Sequence, residues 1–214
     1  MTRKERFFAG VSGPAGAGKD TIGQWIATNH NARVASFATP LKQMIYALMS
    51  QVKIKRVAQR FYVEDHEGKE TPIPELGGVT ARHLMQTLGT EWGRKAVSED
   101  FWTQVAATRF NNLLSGRLCR PIGLVFTDVR FPNEADLVHA VGGKMIRVTR
   151  PGHEPPAHVG THASETAELE IDIHIVNDGT PEELFAKLAE HFPPPPPTPP
   201  HIGRPRKNPR PEET

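Results

Sequence analysis

The chain has a single cysteine, Cys119, among its 214 residues. An internal disulfide is excluded, and the composition suits a reducing, cytoplasmic setting. No apolar run is long enough to cross a bilayer. The opening Met1-Thr2-Arg3-Lys4-Glu5-Arg6 lacks the apolar segment of a secretion signal. Charge of one sign is scarce as well: the formal net charge is +2. The stretch from Pro193 to Thr214 supplies all of that excess, with Arg204, Arg206, Lys207 and Arg210 against Glu212 and Glu213. The rest is near neutral, which argues against a broad nucleic-acid-binding face. There is no internal repeat, and the lack of an Asn-Lys-x-Asp guanine motif argues against a GTPase. What remains is a length that fits one α/β domain with a proper core.

The most informative stretch present is Gly13-Pro14-Ala15-Gly16-Ala17-Gly18-Lys19-Asp20-Thr21. An apolar run ending Phe7-Phe8-Ala9-Gly10-Val11-Ser12 leads into it, and a helical pattern with Ile22, Trp25 and Ile26 on one face follows. Strand, glycine-rich loop, helix is the context of a phosphate-binding loop. The glycines let the backbone curl so that successive N–H groups point at one anion. The helix starting near Lys19 adds its positive end, and Lys19 reaches the β- and γ-phosphates as a mobile point charge. The hydroxyl residue usual directly after the lysine is replaced by Asp20, with Thr21 one place later. That hydroxyl normally helps hold Mg²⁺, so Thr21 and Asp20 are candidate metal contacts.

Along the chain, strands are expected at Arg6–Ser12, Val34–Ala38, Pro121–Thr127, Lys144–Thr149 and around Ile171, Ile173 and Ile175. Helices are expected over Thr21–Asn29, from Pro40 to about Leu48, from an N-cap at Thr80 to Gly89, and from Ser98 to Gly116. Two more run from Pro132 through Val141, and from the Thr180-Pro181-Glu182-Glu183 capping box to about His191. Alternating strands and helices give an α/β fold, a doubly wound parallel sheet of about five strands flanked by helices. Lys53 to Gly78 is polar and unpatterned, and reads as a long functional or mobile loop. Arg150 to Ser164 reads as a second loop. Pro193 to Thr214 reads as a disordered, extended and solvated tail. Its Gly203-Arg204-Pro205-Arg206-Lys207 is similar to a minor-groove hook, but composition favours a soluble tail over DNA contact.

Asp128 ends an apolar strand, where open parallel sheets bind ligands, and could hold hydrated Mg²⁺ or orient an acceptor. Arg130 and Arg150 follow two successive strands and suit phosphate contact, because a guanidinium can grip two oxygens at once. Arg82, Gln86, Thr90, Glu91 and Arg94 form a polar cluster fit to clamp the phosphate of a second nucleotide and to bond its base. Trp92, Phe101 and Trp102 offer stacking faces, with core packing preferred for Phe101. His153, His158 and His162 have a spacing that fits no usual zinc pattern.

Taken together, these pieces resemble the deoxynucleoside monophosphate kinases of tailed phages, relatives of adenylate kinase, with which the Gly-Lys-x-Thr ending of the loop is shared. The matching stretches are Gly13 to Thr21, Phe37 to Lys42, Leu84 to Arg94, Glu99 to Trp102, Asp128 to Ala135, Arg150 to Gly152, His162 to Glu165 and Asn177 to Thr180. The resemblance implies a P-loop kinase domain over residues 1–192, with an acceptor-binding insertion at 53–97 and a lid at 150–165. It implies ATP-dependent phosphoryl transfer to a deoxynucleoside monophosphate, with Mg²⁺ held by Thr21, Asp20 and Asp128. Catalysis falls to Lys19, Asp128, Arg130 and Arg150. The donor contacts Gly13, Ala15, Gly16, Ala17, Gly18, Lys19, Asp20, Thr21, Asn177 and Gly179. The acceptor contacts Arg82, Gln86, Thr90, Glu91, Trp92 and Arg94. The lid lacks the several arginines usual in adenylate kinase, which leaves more of the burden to Arg150. A phage-encoded chain of this kind works in the host cytoplasm, on small nucleotides rather than membranes, and pairing as a homodimer stays open.

Two other readings compete. A dephospho-coenzyme A kinase on a similar frame would need Asp20 or Asp128 as a base for a ribose hydroxyl. A nucleotide-gated module would use the tail to engage DNA or a protein partner.

Overall fold

Side chains alternate across β1 (Phe7–Ser12): Ala9 and Val11 are fully buried on one face, while Phe8 packs on the other. That two-sided burial is the signature of a central parallel strand. The computed structural model describes residues 6–115, 123–152 and 168–193. The histidines at 153, 158 and 162, most of the 150–165 segment and the tail from 194 onward lie outside them.

Five parallel strands form the main sheet, in the order β2 (Ala32–Ala35), β5 (Gly123–Phe126), β1, β6 (Lys144–Thr149), β7 (Ile173–Val176). In register, Ala9 stands beside Val125 and Lys144, and Val148 beside Ile175. One face is covered by α1 (Lys19–Asn29) and α8 (Pro181–His191), whose Ile22, Ile26, Leu184 and Leu188 join Val11, Ile146 and Ile173. The other is covered by α6 (Phe101–Ser115) and α7 (Pro132–Ala140), through Ala106, Ala135 and Val138 against Phe126 and Met145. The expected doubly wound sheet of about five strands is what forms. No helix of the described residues is long and apolar enough to cross a membrane.

Three stretches differ from the sequence expectation. Strand β2 ends at Ala35, because Ser36 to Ala38 bend away to meet the Asp128 carboxylate before α2 (Thr39–Gln51) begins. Residues 53–78 are not a loop. They form α3 (Arg56–Glu64), α4 (His66–Glu70) and the strand β3 (Pro72–Ile73), which pairs antiparallel with β4 (Val79–Thr80). Ile54, Val63 and Ile73 close a separate cluster on Ile45 and Met49 of α2 and Ala81 of α5 (Ala81–Gln86). The apolar stripe is short, and Arg56, Arg60 and Glu64 on the wet side of α3 conceal it. Asp65 caps α4 by accepting the Gly68 amide at 3.0 Å.

Third, Thr80 caps α5 as expected, accepting the His83 amide at 3.2 Å, but Gly89 does not stop the helix. The chain widens into a π-helix, Thr87–Val97, a rare form that collects at functional sites. Trp102 lies against it: a Cβ at Gly93 would run into the indole, whose Nε1–H donates to the Gly89 carbonyl at 2.8 Å. The Trp102 ring is therefore a buried wedge rather than a stacking face.

Candidate active site

The Gly13–Thr21 loop joins the C-terminal end of β1 to α1. Gly13, Gly16 and Gly18 all take positive φ, at 148°, 75° and 105°. At Gly13 an added Cβ would strike the Val148 carbonyl oxygen of the neighbouring strand, so both space and conformation demand glycine. Gly18 precedes α1 in a left-handed turn with no side-chain cap, leaving the helix's first amides directed at the loop. The amides of Lys19, Asp20 and Thr21 have no protein acceptor among the described residues.

Lys19 folds back onto the loop, donating to the carbonyls of Gly13 at 2.8 Å and Pro14 at 2.7 Å. Burial, then the nearby Arg130 charge, lowers its pKa from the ordinary lysine value, while Asp20 and Asp128 oppose the shift. The sheet edge thus brings Lys19, Asp20, Asp128 and Arg130 within electrostatic reach of one another. Arg130 is exposed, and its guanidinium has no hydrogen bond or ion pair among the described residues. Arg150 reaches the Gly16 carbonyl at 3.5 Å. Asn177 clamps the loop from the β7 side, its amide donating to Ala17 O at 2.9 Å. Gly16, Gly18, Lys19, Asp20, Thr21, Arg150, Asn177 and Gly179 line a cavity of about 400 Å³. Ala15 is exposed in the loop and Ala17 is buried beneath it.

Asp128 stands where the sequence put it, at the end of β5, but its carboxylate is engaged. Oδ1 accepts the Phe37 amide at 2.9 Å, and Oδ2 accepts the Ser36 hydroxyl at 2.6 Å and the Ala38 amide at 2.9 Å. With these three bonds Asp128 pins the turn that starts α2.

Arg94 is engaged as well. It forms an ion pair with Glu134 at 2.6 Å, both side chains more than nine-tenths buried, and donates to Glu99 O and Asn133 Oδ1. Its guanidinium lies 3.6 Å from the Phe131 ring centroid. These contacts fasten the π-helix to the start of α7. Arg82 pairs with Glu70 but remains partly exposed. Thr90 is buried, whereas Gln86, Glu91 and Trp92 are exposed, with Glu91 paired to Lys95 at 2.9 Å.

Glu134 went unnoticed in the sequence. Its Oε2 accepts the amides of Arg130 and Phe131, at 2.8 and 3.2 Å, so it orders the backbone that carries Arg130. Burial pushes its carboxyl up to about 7 against these donors and the Arg94 charge. The available signal was a glutamate at the third position after Phe131-Pro132, half of a capping box.

A parallel sheet whose central strand feeds a glycine loop with this lysine, over a cavity at the strands' C-terminal edge, defines a phosphate-loop kinase. Similarity makes that class narrower. The family model described as deoxynucleotide monophosphate kinase matches residues 76–188, and the chain belongs to that family. A protein of Acanthamoeba polyphaga mimivirus assigned as a deoxynucleotide monophosphate kinase is 29% identical over 84% of this chain and 92% of its own length. The deoxynucleotide monophosphate kinase of Enterobacteria phage T4 is 30% identical over 75% of this chain and 68% of its own. The Thermus thermophilus protein TT1252 aligns in structure over 88% of this chain and 96% of its own, with 12% identity and a TM-score of 0.48. At that score it adds nothing to the family assignment.

Proposed function

We propose that the chain transfers the γ-phosphoryl group of ATP to the phosphate of a deoxynucleoside monophosphate, giving ADP and the deoxynucleoside diphosphate. The observation that carries the reading is the Gly13–Thr21 loop itself. Among the described residues its lysine is bonded only to the loop's own carbonyls, and the amides of Lys19, Asp20 and Thr21 are free of protein acceptors, at the rim of a cavity. A triphosphate supplies the acceptors those groups lack. The names of the viral relatives supply the acceptor class.

Lys19 turns from the Gly13 and Pro14 carbonyls to the β- and γ-phosphate oxygens. Bound Mg²⁺ would add positive charge on the same oxygens, with Thr21 and Asp20 as the loop's oxygen donors. Gly16, Gly18, Asn177 and Gly179 enclose the donor beside α8, and Arg150 reaches over Gly16. Arg130, close enough to Lys19 to repel it, takes charge developing on the transferred group. An acceptor phosphate oxygen forms the new bond to phosphorus as the bond to the β-bridging oxygen breaks. That oxygen is already ionised at neutral pH, so no general base is needed, and catalysis rests on positioning and charge stabilisation. A dephospho-coenzyme A kinase would need Asp20 or Asp128 as a base, and of the two Asp128 is already committed to three hydrogen-bond donors.

The test is a coupled assay of ADP release with ATP against each deoxy- and ribonucleoside monophosphate in turn. We expect release that depends on a deoxynucleoside monophosphate. Turnover with dephospho-coenzyme A and none with monophosphates would overturn the proposal.

A further inference from the structure

With Arg94 buried in its pair, a monophosphate facing the loop needs other cations. The structure supplies them from three separate helices. Lys42 on α2 donates to Glu64 Oε2 at 2.5 Å, and Tyr46, one turn on, donates its hydroxyl to Glu64 Oε1 at 3.0 Å. Lys69 on α4 donates to the backbone carbonyl of the same Glu64, at 3.1 Å. Arg82 on α5 pairs with Glu70. Three cations from three helices thus gather around the C-terminal end of α3, with Glu64 and Glu70 as their carboxylate partners.

The cations are close enough to disturb one another. Burial, followed by the Lys42 charge, lowers the Lys69 pKa, and Arg82 lowers it further. Glu64 and, from the phosphate loop, Asp20 work the other way. Asp20 of the phosphate loop is thus within electrostatic reach of Lys69. Glu64 lies below the ordinary carboxylate value: its burial opposes that shift, but Lys42 and Tyr46 outweigh it. It stays ionised and holds Lys42 in place. An ammonium has three donors. Lys42 and Lys69 each spend one here among the described residues, so both retain donors for a ligand. Lys42 also lies one turn beyond the Ser36–Ala38 bend that Asp128 fixes, which couples its position to the end of β5.

We infer that Lys42 and Lys69, positioned by Glu64 and Tyr46, form the subsite for the acceptor's phosphate, with Arg82 at its edge. The inference rests on the kinase reading above and supplies residues for its acceptor half. A phosphate dianion would relieve the mutual repulsion of the cations, within electrostatic reach of the loop that carries Asp20.

The test uses the full chain with Lys42→Met, Lys69→Met and Lys42→Arg. Calorimetric titration with each of the four deoxynucleoside monophosphates is paired with steady-state kinetics in both substrates, and circular dichroism confirms the fold. The expected result is at least a tenfold loss of monophosphate affinity and a matching rise in its KM for each methionine variant. The ATP KM should stay within about twofold, and Lys42→Arg should recover part of the loss. Folded methionine variants that bind monophosphates as tightly as the wild type would overturn the inference alone. Wild-type protein that neither binds nor phosphorylates any of the four would overturn the kinase reading and the inference with it.

Discussion

The phosphate loop and the helical layer facing it are built in opposite ways. The loop is nine consecutive residues, Gly13 to Thr21, and its function follows from local backbone geometry. Three positive-φ glycines, one lysine and a helix start suffice. The facing layer draws Lys42, Glu64, Lys69 and Arg82 from four helices, and no single stretch holds more than one of them. The lesson is that an anion can be held by one turn of chain or by side chains gathered across a subdomain. Only the first kind is written in contiguous sequence.

That contrast can be broken or sharpened by substitution. The largest stability effect is expected at Arg94, which belongs to neither half but ties the π-helix to α7. Arg94→Ala leaves Glu134 buried without its cation, at a cost of about 3–5 kcal/mol. A calorimetric Tm about 10 °C lower is expected, with acceptor affinity little changed in the folded fraction. A fully stable Arg94→Ala variant with a raised monophosphate KM would return Arg94 to the acceptor site.

Gly13→Ala comes next. The residue must keep a φ of 148° while its Cβ meets the Val148 carbonyl. We expect a loss of about 2–3 kcal/mol and a raised ATP KM, with monophosphate affinity preserved; kinetics in both substrates checks the split. The reverse pattern should follow Asp128→Asn. An amide cannot accept from both the Phe37 and Ala38 backbones and the Ser36 hydroxyl as the carboxylate does, so the start of α2 loosens, at about 1–2 kcal/mol. Lys42 moves with it, and the monophosphate KM should rise several-fold while the ATP KM holds. Equal changes in both constants would erase the distinction between the two halves.

The smallest effect concerns pH. The Glu134 carboxyl is raised in the folded chain from 4.5 to about 7, so the folded state holds this proton more tightly than the unfolded state. Its contribution to stability is fully present below about 4.5 and is lost as pH rises through about 7. Urea unfolding of the wild type and Glu134→Gln from pH 5 to 8 should show the wild type lose stability relative to the variant as pH rises. A wild type that gains stability relative to the variant would reverse the sign.

The fold was largely legible because its strands are apolar runs and its helices carry caps. The Lys144–Thr149 strand and the Thr180 capping box stand as expected. The 53–78 region was not, since its burial is confined to a short stripe on α3 and single residues such as Ile54 and Ile73. At the site, Lys19, Arg150, Asn177 and Gly179, each named from a motif, line one cavity. Asp128 and Arg94 stand out in the sequence, but their protein partners do not. Sequence gives the position of a charge along the chain and not the group that will saturate it. Ser36 is 92 residues from Asp128, and Glu134 is 40 from Arg94.

The most direct test of the central claim is single-turnover transfer of the ATP γ-phosphoryl group to a deoxynucleoside monophosphate by Lys19→Met, compared with the wild type. The account predicts a rate lower by about a thousandfold or more, with the circular dichroism spectrum and Tm retained. A folded Lys19→Met protein that transfers phosphate at a near wild-type rate would contradict it.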